Sequence, residues 1–106
     1  MIVWAIATAL LAPATSNDLV AARLEVACKD ANSSSQEMCS AYLLAGARSL
    51  RDAKGSFRRI CPPATAGIAA YQKVFSQYLL KHPDEAQRPA VIVILKAFEQ
   101  AYSCPS

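Results

Sequence analysis

Four cysteines in a chain of 106 residues constrain the fold more than any other feature. A chain this short has room for one domain with a modest core, and such domains gain from covalent staples. Four thiols supply two. Their spacing, Cys28, Cys39, Cys61 and Cys104, contains no C-x-x-C, and the only histidine is His82, so a zinc site is not indicated and no metal or cofactor is expected. Paired thiols also imply an oxidising compartment.

The amino-terminal residues agree with export. Ile2 to Ala12 is an uncharged apolar run of 11 residues, too short to span a bilayer as a helix but suited to the h-region of a signal peptide. Ala12-Pro13-Ala14 supplies an A-x-A cleavage signature, although no Lys or Arg precedes the run. Residues 1–14 are therefore expected to be a signal peptide, the alternative being a buried first helix, and residues 15–106 the exported mature domain with no membrane segment of its own.

Four helices follow from periodicity and stop signals. Asn17 or Asp18 can cap a first helix reaching Cys28, with Leu19, Val20, Leu24 and Val26 facing the core. Ser34 and Glu37 form a capping box that opens a second helix running to about Ala53, with Leu43, Leu44, Ala47 and Leu50 inward. Gly55 and Cys61-Pro62-Pro63 force a linker. Thr65 can cap a third helix to Lys81, in which Ile68, Tyr71, Val74, Phe75 and Tyr78 recur at helical spacing. A fourth helix opens near Pro89, and its broad apolar face of Ala90, Val91, Ile94, Leu95, Ala97, Phe98 and Tyr102 places it at the centre. A buried strand over Val91 to Leu95 is the alternative for that segment, but its flanks favour helix. The expected fold is all-α, a small up-down four-helix bundle stapled by two disulfides.

Of the three possible pairings, that topology selects one. Short connections make successive helices antiparallel, which puts Cys28 and Cys39 at one end of the bundle and Cys61 and Cys104 at the other. At about 1.5 Å per residue the second helix keeps those ends roughly 20 Å or more apart, while a disulfide needs Cα atoms within roughly 7 Å. Cys28 pairs with Cys39, and Cys61 with Cys104.

Catalytic arrangements are not in evidence. Disulfides consume the thiols, His82 lies in a polar loop beside Pro83, and Asp84 and Glu85 are adjacent and expected to be exposed, which is poor geometry for opposed acid and base groups. The sequence has no G-x-S-x-G and no Gly-rich phosphate loop. A net charge of +3 without a nucleic-acid motif does not indicate a DNA or RNA partner.

Taken in order, Cys39-Ser40-Ala41-Tyr42-Leu43-Leu44-Ala45-Gly46, Cys61-Pro62-Pro63, Tyr78-Leu79-Leu80-Lys81-His82-Pro83, Pro89-Ala90 and Phe98-Glu99-Gln100-Ala101-Tyr102-Ser103-Cys104 resemble the Rap/Tai immunity proteins. The likeness covers about Cys28 to Cys104. It departs from the family where an acidic residue often follows the glycine, since Arg48 and Ser49 stand there. The resemblance implies a non-catalytic helical protein, often a homodimer, that plugs the active-site groove of a type VI secretion peptidoglycan amidase in the periplasm. The expected toxin-binding projection is the turn His82 to Arg88, with His82, Asp84, Glu85 and Arg88 as its contacts. A second candidate is the basic stretch with Arg51, Lys54, Arg58 and Arg59, which could steer an acidic partner. A small acid-activated stress chaperone and a ligand carrier are the alternative functions. The first would need clustered carboxylates and the second an internal cavity.

Overall fold

The computed structural model describes residues 19–52 and 58–105, so the expected signal peptide, the Asn17 and Asp18 caps, Ala53 and Lys54 lie outside the described residues. It contains the expected helices: α1 (Ala21–Lys29), α2 (Ser33–Arg51), α3 (Ile68–Lys81) and α4 (Ala90–Ala101), with a 3-10 turn at Pro83–Glu85. Among the described residues the only β pairing is two isolated bridges, Val20 with Pro89 and Ile60 with Ser103. Val91 to Leu95 is helix.

α4 packs against each of the other helices. Val93, Ile94, Ala97 and Phe98 are buried along it and meet Leu43 and Leu50 of α2 and Tyr71 and Phe75 of α3 in one cluster. Tyr71 stacks at 5.1 Å from Phe98 and edge-on at 5.9 Å to Tyr102, geometry that adds to the area these rings remove from water.

Two inward assignments are corrected: Val26 is 69 % exposed and Leu44 36 %. Leu19, Val74, Leu95 and Tyr102 are half-buried and pack against the core as expected, and Val20, Ile68 and Val91 are half-buried. α1 buries the expected Leu24 together with Ala21 and Ala27, a spacing of three that small alanines barely mark in the sequence. Val93, fully buried, was not singled out.

The helix starts also differ. α2 is capped by Asn32, whose side chain accepts from the Ser34 N–H at 2.9 Å, rather than by a Ser34–Glu37 box. Asp30 explains the shift: its carboxylate accepts from the Asn32 N–H and the Ser35 hydroxyl, tightening the turn two residues earlier. α3 starts at Ile68 after Gly67, not after Thr65, because an Ala66 N–H to Pro63 carbonyl bond holds Pro63 to Ala66 in a turn.

Both disulfides form as expected, Cys28–Cys39 with Cα atoms 5.1 Å apart and Cys61–Cys104 at 4.8 Å. The second is reinforced by the Cys61 N–H to the Tyr102 carbonyl at 2.7 Å and the Ile60 N–H to the Leu50 carbonyl at 3.2 Å, so the linker is pinned to the ends of α2 and α4.

At Gly46 α2 lies close against α4. A Cβ there would sit 2.5 Å from Cγ2 of the buried Ile94. That methyl is on a β-branched carbon with restricted χ1, so it cannot swing away cheaply. Alanine would gain about 1 kcal/mol of helix propensity against an overpacking cost of typically 1–3 kcal/mol. Gly46→Ala is therefore expected to lower stability by about 1 kcal/mol in urea unfolding.

Candidate functional site

The turn His82 to Arg88 is fastened on two sides. Its 3-10 core is closed by the Glu85 N–H to the His82 carbonyl and the Arg88 N–H to the Glu85 carbonyl, both at 3.0 Å. On the outer side, the carbonyls of Ala86 and Arg88 accept from the N–H groups of Ala22 and Ala21 at 2.8 and 2.9 Å, and the Leu19 carbonyl accepts from the Ala90 N–H at 2.8 Å. Neither α1 nor α4 has a side-chain cap. The loop and the chain before α1 supply main-chain acceptors to donors that a helix start leaves unpaired.

On the inner side stands Glu85, which is only 7 % exposed. This corrects the expectation that it would be exposed beside Asp84. One carboxylate oxygen accepts from the Tyr78 hydroxyl at 2.5 Å and the other from Lys96 Nζ at 3.1 Å. The Tyr78 hydrogen bond holds the Glu85 carboxyl below the usual carboxylate range against the opposing effect of burial, with Lys96 adding to it. Burial first, and then Glu85, push the Tyr78 hydroxyl up to about 12. The His82 ring lies against Tyr78, with centroids 4.3 Å apart.

These shifts set a pH dependence. With its folded-state pKa depressed, Glu85 contributes stability that is present above the unfolded carboxylate value and lost as pH falls through the folded one. Tyr78, raised, contributes below pH 10 and loses its share as pH climbs toward about 12. Glu85→Gln is expected to flatten the acid limb of a stability-versus-pH curve, measured by urea unfolding between pH 6 and 2.

Of the four expected contact residues, the fold thus leaves Asp84 and Arg88 exposed, His82 half-buried and Glu85 inside. Of the basic stretch, Arg51 and Arg58 bond elsewhere. Arg51 Nη2 donates to the Tyr71 hydroxyl at 3.2 Å, and the Arg58 main chain donates to Glu99 at 2.7 Å. The side chains of Arg58 and Arg59 are exposed. The anchoring set, Tyr78, Glu85 and Lys96, was missed because three residues on three different elements carry no shared local pattern.

All four cysteines are disulfide-bonded. Among the described residues no group of three His, Cys, Asp or Glu side chains could hold a metal ion, and no helix is long and apolar enough to cross a membrane. A stapled helical frame with a main-chain-fastened polar loop has the form of a binding module. The family model of Rap1a immunity proteins matches residues 15–104, and the chain belongs to that family. It is thus an immunity protein directed against a secreted effector, with that effector protein as its partner. No curated protein and no solved structure matches it.

Proposed function

We propose that the chain is a periplasmic antidote to a type VI secretion peptidoglycan amidase and that it occupies the effector's active-site groove with the loop His82 to Arg88. The observation that carries this reading is the fastening of the loop. Three main-chain bonds join it and its flanks to the chain around the start of α1, and a buried Glu85 holds its inner side. A projection ordered before binding loses little conformational freedom on binding, which leaves more of the contact energy as affinity. Asp84 and Arg88 offer charges of both signs to a polar groove, and His82 borders them. Inhibition is stoichiometric and requires no catalysis or cofactor.

Export agrees with this role. The family match begins at residue 15, directly after the Ala12-Pro13-Ala14 signature, which supports a signal peptide over residues 1–14 and a mature domain over 15–106. Both disulfides suit the periplasm. The basic side chains of Arg51, Lys54, Arg58 and Arg59 steer the encounter, and an association rate that falls with salt would show it. The mature chain is a homodimer in this reading, which sedimentation velocity tests.

The functional test is rescue. Bacteria carrying a periplasmically directed amidase effector, encoded beside this chain, are expected to survive when the chain is exported and to lyse when residues 1–14 are deleted. Survival without export would contradict the periplasmic reading, and lysis despite export would contradict the immunity reading for that effector.

A further inference from the structure

We propose that the effector-binding face extends from the loop into the groove between α1 and α2, with Val26 and Met38 as its apolar anchor. This rests on the reading of His82 to Arg88 as the effector-binding loop. Val26 is 69 % and Met38 38 % exposed. They line a groove of about 530 Å³ with Arg23 and Asp30 among its polar lining residues, and Gln87 enters it from the loop.

Nothing among the described residues accounts for valine at position 26. A β-branched residue is a mediocre helix former, and at this exposure it adds little to the core. In an interface the same side chain has a role, because the centre of a protein–protein contact is apolar and its rim polar.

Size points the same way. A specific interface uses roughly 800 Å² and 20–30 residues on each side. The loop offers seven residues, one of them buried, so most of the footprint lies outside it. The α1–α2 groove adjoins it rigidly: Gln87 sits between Ala86 and Arg88, whose carbonyls are bonded to Ala22 and Ala21 of α1. The more apolar groove between α2 and α4, lined by Tyr42, Val91 and Leu95 among others, contains no loop residue. The occupant is therefore the effector itself, presenting an aliphatic or aromatic side chain flanked by groups that can meet Arg23 and Asp30.

The test is calorimetric titration of the mature chain with a catalytically inactive form of an amidase effector against which it protects in the rescue assay. Val26→Arg, Met38→Glu and the double replacement Asp84→Ala/Arg88→Ala are titrated in parallel. Arginine in the last turn of α1 agrees with the helix dipole, and glutamate is a good helix former at the exposed position of Met38. Each groove variant is expected to weaken binding about tenfold or more, with an unchanged circular dichroism spectrum and melting temperature. Should Val26→Arg melt lower, Met38→Glu alone carries the comparison. Unchanged affinity of the groove variants, with weakening by the loop replacement, overturns this inference and leaves the loop reading standing. Full-strength binding by the loop variant overturns both, as does a wild type that does not bind. Loss of self-association in Val26→Arg at unchanged effector affinity assigns the groove to a second copy and also overturns the inference.

Discussion

Replacing Cys61 and Cys104 together by alanine is expected to lower stability by about 3–4 kcal/mol. The bridge spans 43 residues, and in the chain-entropy model a closed loop of that length restricts the unfolded ensemble by about that amount. Its sulfurs are not core atoms, since Cys61 is exposed and Cys104 half-buried, so the replacement leaves little cavity and isolates loop closure. Cys28–Cys39 differs. It spans 11 residues and its entropic share is smaller, about 2.5–3 kcal/mol, but Cys39 is fully buried and its loss also opens space in the core. Small domains are stable by only about 5–15 kcal/mol. Loss of the longer bridge is expected to shift the melting midpoint down by about 12–32 °C at 4–8 °C per kcal/mol, and dithiothreitol, which reduces Cys28–Cys39 as well, is expected to lower it further. A shift below about 5 °C would mean that the hydrogen bonds from Cys61 and Ile60 to Tyr102 and Leu50 hold the linker unaided.

Glu85→Ala is expected to cost about 2–3 kcal/mol and to weaken effector binding in addition. Truncation leaves the buried Tyr78 hydroxyl without the acceptor it has at 2.5 Å, and an unpaired buried donor costs about 1–3 kcal/mol. The Lys96 ammonium is better placed, because its side chain is 35 % exposed and can return to water. The ion pair itself therefore contributes only a modest share. The second consequence falls on function. Without Glu85 the turn keeps its outer bonds to Ala21 and Ala22 but loses its inner fixing, so binding must restore an order that the wild type has in advance. Tyr78→Phe separates the two, since it removes the hydroxyl's need for an acceptor while leaving Glu85 paired with Lys96. It is expected to cost less than Glu85→Ala in urea unfolding and to retain more affinity. Equal losses in both variants would assign the Tyr78–Glu85 bond the whole effect.

The disulfides were legible in the sequence because they depend on quantities that hardly vary. A helix rises by a fixed amount per residue and a disulfide reaches only a few ångströms, so four approximate helix boundaries sufficed to choose the pairing. The long helices were legible for a similar reason. Tyr71, Phe75 and Tyr78 on α3 and Ile94, Ala97 and Phe98 on α4 are bulky enough, or regular enough, for their period to stand out. α1 was harder. Nine residues give too few turns for a stripe, and its buried face relies on Ala21 and Ala27, which periodicity undervalues beside Val26. The α2 start was blurred by the polar run Asn32-Ser33-Ser34-Ser35, in which several residues can cap and the choice falls to Asp30. The loop was legible as a position, from Pro83 and its polar neighbours, but its anatomy was not. Whether Glu85 points outward or inward is decided by Tyr78 and Lys96 on the flanking helices, contacts that exist only once α3 and α4 are packed.

The most direct test of the central reading is inhibition itself: purified mature chain titrated into an amidase effector against which it protects in the rescue assay, with release of cleaved peptidoglycan peptides as the signal. The account predicts that activity falls to zero at one immunity chain per effector, and that Asp84→Ala/Arg88→Ala shifts the titration to much higher concentration while remaining folded. A complex that forms but leaves the amidase active, or a loop variant that inhibits as well as the wild type, would contradict it.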